Sequence, residues 1–398
     1  MWRPTPYGDA EVMPTPSDLQ LPTANDAPVP DETTLTDLHV DGILPAALAG
    51  RFVRIGPNLV APSPAGRGDG DGMVHAVDLL AGRAVRYRNR WVTTDAVARA
   101  LGTEPVPGPP PAPFDTVATN VISFGGRTLA LGPAALAYEL DEQLATVQRV
   151  DLAGRGRGIG AHPRIDPATG ALHLVSHGDE PAHHALAANG LTRSTVTVPH
   201  APGPLRDLLL TADHVVLLGE GFVGVASRTR PAAVLWVDAD LRGAVAAHDT
   251  GDDVVVLAAA GSMVRWTLSA GAARCGLLDG TPQRFGITNP RCAVPRFLWA
   301  IASEGGTAVF RHDLRTGART THDLGPGRRP GALAFVPDPA RRDRDDGGWL
   351  LGFVHDDRRL ETDLVVLDAA ALDGPPVATV RIPRRIPSGL HATWIPAH

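Results

Sequence analysis

Lysine is absent from this chain of 398 residues: all 37 basic residues are arginine. With 43 glycines and 37 prolines alongside, that is the mark of a GC-rich coding sequence rather than of any chemistry. Cysteine is nearly absent too. Cys275 and Cys292 are too few for a disulfide framework and read as buried or incidental thiols in a reducing cytoplasm. No run approaches the roughly 18–20 apolar residues that a membrane span requires. The opening Met1-Trp2-Arg3-Pro4-Thr5-Pro6 lacks a basic stretch followed by an apolar one, so no secretory signal is expected. The expected location is cytoplasmic, with peripheral membrane contact left open. The formal charge is only −6, and no basic stripe alternates with aromatics, which argues against a nucleic-acid partner. A Gly-x-Ser-x-Gly elbow, a phosphate-binding P-loop and paired-cysteine zinc ligands are all missing. What is present, 43% hydrophobic residues at a mean hydropathy of −0.02, is the composition of a globular protein long enough for a large core.

Residues 1–35 are rich in Pro, Asp and Thr with little periodicity, and are expected to form an extended N-terminal arm. Residues 36–398 are expected to form a single domain. Across it, short β-favouring runs such as Val215-Val216-Leu217-Leu218, Val254-Val255-Val256-Leu257 and Leu364-Val365-Val366-Leu367 alternate with turns. Pro167-Ala168-Thr169-Gly170, Gly251-Asp252-Asp253 and Arg315-Thr316-Gly317 are examples of those turns. Many short strands with few helical stripes argue for an all-β propeller or large barrel. The repeats are too degenerate for blades to be counted. The stretch from Pro105 to Pro113 holds too many prolines for a central strand. It reads as a stiff polyproline-like connection, either a surface loop or the rim of a substrate tunnel.

Three segments of the N-terminal third carry a more specific signal. They are Gly50-Arg51-Phe52-Val53-Arg54-Ile55-Gly56-Pro57-Asn58, Asp69-Gly70-Asp71-Gly72-Met73-Val74-His75-Ala76 and Arg86-Tyr87-Arg88-Asn89-Arg90-Trp91. In this order and spacing the chain resembles the carotenoid cleavage oxygenases, from about Asp37 to its end. The resemblance implies a seven-bladed β-propeller whose loops and short helices cap a substrate cavity. It also implies an apolar tunnel for a conjugated or isoprenoid substrate, and one Fe(II) held by four histidines with no carboxylate ligand. Within it, Asp69-Gly70-Asp71-Gly72 is a structural turn rather than a calcium loop, since the remaining calcium ligands are lacking, and His75 is a hydrogen-bonding strut.

Two ligands of the family's set carry over. Ala161-His162-Pro163 before Asp166-Pro167-Ala168-Thr169-Gly170 matches the first ligand, His162, and Pro387-Ser388-Gly389-Leu390-His391-Ala392-Thr393-Trp394 matches the fourth, His391. The second should precede an aspartate in a His-Asp-x-x-x-Thr run; here the residues are Arg206-Asp207-Leu208-Leu209-Leu210-Thr211. At the third position, counting back from Gly251 reaches Gly243, and a shifted register would make His248 the ligand. Pro133 and Ala332 stand where two supporting glutamates are expected. An arginine keeps its charge in a protein, and at about 4 Å from Fe(II) it would repel the ion by roughly 8 kcal/mol at an effective dielectric of ~20. Because neighbouring strand residues face opposite ways, an axial Arg206 would also turn Asp207 away.

The expectation is therefore a centre of Arg206, His162 and His391 with no metal favoured, acting on a hydrophobic small molecule. The activity expected is metal-independent isomerisation, cyclisation or dehydration of a polyene, isoprenoid or polyketide-like substrate by acid–base chemistry. Two alternatives stand beside it. One is Fe(II)-dependent cleavage of a C=C bond using His162, His391 and possibly His248, and the other is a non-catalytic binding protein for an apolar ligand. Elsewhere, His183-His184 are expected to be exposed. Asp356, Asp357 and Asp363, and the run Arg341 to Asp346, are expected to be solvated hairpin ends.

Overall fold

A computed structural model describes residue 25, residues 27–60 and residues 70–397 other than 155, 179, 191, 270 and 304. Most of the expected N-terminal arm, and Asp69, lie outside the described residues. The described residues form 28 strands in six antiparallel sheets, one α-helix and one 3-10 turn. The alternation of β-branched runs with glycine turns is what this architecture requires.

The first strands of successive sheets touch and make the inner wall of a ring. Arg164–Ile165 contacts Asp207–Leu210, which contacts Ala244–Thr250; Arg328–Pro337 contacts Ala392–Pro396, which contacts Asn120–Phe124. Six apolar seams between neighbouring sheets close the ring. In one, Phe52, Val77 and Tyr87 meet Trp349, Leu351 and Phe353; in another, Leu209, Val216 and Val237 meet Val254, Val256 and Leu268. Both chain ends lock the ring. The last strand, Ala392–Pro396, pairs with Gly50–Pro57, and Val40–Gly42 pairs with Ala378–Ile382. Thr33–Thr36, at the boundary of the expected arm, is the outermost strand on Arg83–Trp91.

The sheet count is six rather than the expected seven, and the reason is one long hairpin. Asp253–Ser269 and Ala272–Ile287 have 17 and 16 residues. The first pairs with Ala244–Thr250 through its N-terminal half, and the second with Phe297–Ala302 through its C-terminal half. Hydrogen bonding thus runs through what would otherwise be two blades, giving one sheet of six strands. A small apolar cluster of Leu257, Met263, Leu298 and Ala300 inside that sheet is the packing a seventh boundary would have had.

Among the described residues the one α-helix does not cap the cavity. Asp95–Leu101 is started by Thr94, whose side chain accepts from the Val97 amide, and ended by Gly102 at φ 70°. It packs through Val97 on Met73 and Trp91, and lines neither cavity described below. No helix among the described residues is long and apolar enough to cross a membrane.

Candidate functional site

His162 and His391 meet at the inner wall, each just ahead of a first strand: His162 before Arg164–Ile165 and His391 before Ala392–Pro396. The turn that follows His162 is held by Asp166, 2% exposed, which accepts from the Ala168 amide and the Thr169 hydroxyl and pairs with Arg228. Near His391 the backbones come very close. A Cβ on Gly56 would lie 2.6 Å from the Gly389 Cα, and a Cβ on Gly389 2.6 Å from the Arg54 Nε. Both positions therefore demand glycine, and the Arg54 guanidinium donates to the Pro387 carbonyl. The Gly56-Pro57-Asn58 and Pro387-to-Trp394 motifs are two sides of one contact.

The two imidazoles converge through Nε2, 2.8 Å apart, with ring centroids 4.3 Å apart in an edge arrangement. His162 Nδ1 lies 2.8 Å from Asp207 Oδ2. An ionised carboxylate only accepts, so His162 donates from Nδ1 and presents the Nε2 lone pair to His391. Burial, reinforced by the charges of His162 and Arg164, lowers His391 to about 3. His391 is neutral at physiological pH.

Arg206 does not join the pair. It is exposed, and its Nη2 donates to the Gly219 carbonyl at 2.8 Å. Asp207, first residue of Asp207–Leu210, is the inward one, and alternation along the strand turns its predecessor out. The expected order of facing is thus inverted by one residue. Asp207 was legible as the retained aspartate of the His-Asp-x-x-x-Thr run. Its partner in that run, Thr211, donates instead to Asp249 at 2.8 Å.

Nor does the third ligand position supply an imidazole. Gly243 has φ 66° and no room for a side chain, since a Cβ would sit 2.6 Å from that of Ala260. His248 lies four residues into Ala244–Thr250, where burial and the charge of Arg265 lower its pKa. Its Nδ1 has no hydrogen-bond partner. Among the described residues no three His, Cys, Asp or Glu side chains gather as a metal site. Pro133 is exposed and Ala332 buried, so neither offers a carboxylate.

His75 is 2% exposed and bonds through Nδ1 to the Tyr87 hydroxyl at 3.0 Å. In the described part of the Asp69-to-Gly72 segment, Asp71 accepts from the Val60 amide, and a Cβ on Gly72, the first residue of the strand Gly72–Leu80, would lie 1.7 Å from the Val117 carbonyl oxygen. His183 and His184, expected at the surface, are 7% and 0% exposed. Ala182–Leu186 is an interior strand of its sheet, and each imidazole is satisfied there, His183 by His173 and His184 by Ser176 and Thr195. Asp363 is also buried, accepting from Arg328, Arg359 and Arg381. Cys275 is exposed rather than buried.

A cleft of about 980 Å³ is lined among others by Pro113, Phe114, His177, Val198, Pro199 and Leu205. Its wall includes Gly158 and Leu205, four residues before His162 and two before Asp207. The proline-rich connection thus ends at its rim. That volume is at the upper end for a small-molecule site.

The model of the retinal pigment epithelial membrane protein family matches residues 26–237 and 232–396. A carotenoid cleavage oxygenase of Mycobacterium tuberculosis is 31% identical over 485 aligned positions, covering 93% of this chain and 96% of that one. The chain belongs to the carotenoid cleavage oxygenase family. A chloroplastic 9-cis-epoxycarotenoid dioxygenase of Arabidopsis thaliana is 28% identical over 486 positions, covering 96% of this chain and 83% of its own. Among solved structures, cobalt-substituted apocarotenoid oxygenase from Synechocystis superposes with a TM-score of 0.83 at 21% identity, covering 96% of this chain and 99% of that one. In the Mycobacterium alignment more than a hundred of the 485 positions hold no residue of this chain.

Proposed function

We propose that the protein transforms a hydrophobic polyene at the His162–His391 pair, and that the pair serves as metal ligands rather than as an acid–base couple. The observation that carries this is the convergence of two Nε2 atoms 2.8 Å apart, one of them held in its lone-pair form by Asp207. A carboxylate on the far nitrogen is the usual support of a metal-binding imidazole. The low pKa of His391, about 3, points the same way. General acid–base catalysis is efficient when the group titrates near the working pH, whereas a neutral imidazole is the metal-binding form. The named relatives are oxygenases and dioxygenases of carotenoids, which favours Fe(II)-dependent cleavage of a C=C bond over metal-independent isomerisation.

The residues present do not fit the full four-histidine centre. Arg206 faces the Gly219 carbonyl and Gly243 has no side chain, so the chain offers half of that set. A second reading rests on one observation, the continuous chain in which His391 donates to His162 and His162 to Asp207. That chain can hold and pass a proton for isomerisation, dehydration or cyclisation without a metal.

Anaerobic titration with ferrous salt, in the native chain and in His162→Ala and His391→Ala, tests the choice. One tight site lost in both variants, with O₂-dependent cleavage of an apocarotenal, supports the oxygenase reading. Turnover that survives chelation supports the acid–base reading. Polyene binding with no turnover under either condition leaves a binding protein.

A further inference from the structure

A second cavity, of about 50 Å³, is lined by Phe285 and Gly389 and so lies beside the histidine pair. The Phe285 ring centroid is 5.9 Å from that of His391, and Gly389 precedes His391 by two residues. Its remaining wall carries three guanidinium side chains, Arg54, Arg284 and Arg329, beside His355, whose pKa burial lowers. Arg329 is paired, 2.8 Å from Asp357. Neither Arg54 nor Arg284 pairs with an acidic side chain among the described residues.

Arg54 is 3% exposed and pairs with no carboxylate among the described residues. Its guanidinium donates to the Pro387 carbonyl and lies 5.4 Å from the Phe353 ring centroid, while Nε has no partner. Arg284 lies 5.1 Å from the Phe285 ring centroid, and its Nε is also unpartnered. His355 is 3% exposed, and neither ring nitrogen makes a hydrogen bond, although Asp357 Oδ1 comes within 3.4 Å of Nε2. A buried guanidinium without a counter-charge is costly, and burial alone brings Arg54 down to about 10.

We infer that this cavity binds the carboxylate end of an acidic polyene, a substrate or product of the adjoining centre. The inference rests on the polyene reading of function. Size sets the class of group. One water needs roughly 10–15 Å³ of such volume, so the cavity takes a head group of a few atoms and not a polyene. Chemistry sets its charge, because a guanidinium fork matches a planar carboxylate in two hydrogen bonds. Phe285 and Phe353 supply apolar walls beside it, and Phe285 adjoins His391.

Quenching of tryptophan fluorescence by all-trans-retinoic acid and by its methyl ester tests the inference without any need for turnover or metal. The acid should bind at least tenfold tighter than the ester. Arg284→Gln should reduce that preference below threefold while leaving ester affinity unchanged. Arg54→Gln should do the same, and the less buried Arg284 keeps the test valid if the Arg54 variant does not fold. Equal affinity for acid and ester in the native chain, or a preference that survives the substitutions, overturns the carboxylate site and leaves the polyene reading standing. Sodium acetate at constant ionic strength is the control for a free small anion. Acetate binding that depends on Arg284, with acid and ester still equal, would overturn the assignment to a substrate end. If neither polyene binds, the functional reading and this inference fall together.

Discussion

Asp207→Asn should invert the tautomer of His162. In the native chain Asp207 Oδ2 accepts from His162 Nδ1 at 2.8 Å, and Oδ1 accepts from the Leu208 amide at 2.7 Å. Asparagine can keep the Leu208 contact with its carbonyl oxygen, which turns its NH₂ group toward the imidazole. Nδ1 must then accept, and the proton moves to Nε2, facing His391. A hydrogen bond to a charged group contributes ~1.5–3 kcal/mol, or a bias of roughly 10- to 150-fold toward the native tautomer. The neutral amide favours the other one by ~0.5–1.5 kcal/mol. Imidazole ¹⁵N NMR, assigned by comparison with His162→Gln, should show a pyridine-like His162 Nε2 in the native chain and a pyrrole-like one in the variant. Ferrous affinity should fall about 10- to 100-fold, the usual cost of losing a supporting carboxylate. Thermal melting by circular dichroism should move little, since the Leu208 contact is kept. An unchanged Nε2 resonance with unchanged ferrous affinity would refute the role given to Asp207.

Three further outcomes follow from the same geometry. His183 and His391 are each lowered by burial to about 3, so the unfolded chain takes up these protons first as pH falls below about 6.5. The stability they supply is complete above that pH and is lost toward pH 3, at ~1.4 kcal/mol per pH unit for each histidine. Urea melts between pH 7 and 4.5 should show this loss and His183→Gln should remove about half of it; a flat profile would contradict the burial. Arg206→Ala, which removes only the bond to the Gly219 carbonyl, should cost ~1 kcal/mol of stability and change turnover less than threefold, whereas a hundredfold loss would place the guanidinium in the site. Phe353→Ala, in a seam where its ring meets Phe52 at 4.9 Å, should cost ~3–5 kcal/mol, and a chemical-denaturation difference below 1 kcal/mol would show that the seam is not tightly packed.

Local pattern determined the all-β character and the turns, and the family resemblance singled out the two histidines. Alternating runs bounded by Gly, Asp and Pro have few other stable forms, and Asp166-Pro167-Ala168-Thr169-Gly170 and Gly389 are dictated by turn geometry and close backbone approach. Such constraints act within a few residues or on one backbone position, so they are written in the sequence. Facing and burial are not. Whether Arg206 or Asp207 points inward depends on the strand's phase against its neighbours, and a one-residue shift reverses it. His183 and Asp363 look like surface residues until adjoining strands and arginines cover them. The six-stranded sheet arises because hydrogen bonds run on through the hairpin of Asp253–Ser269 and Ala272–Ile287, a pairing that turn signals cannot count. The cationic cavity is the clearest case. Arg54, Arg284 and Arg329 lie far apart in the chain and converge only when the ring closes, because closure alone decides which guanidinium groups share one volume.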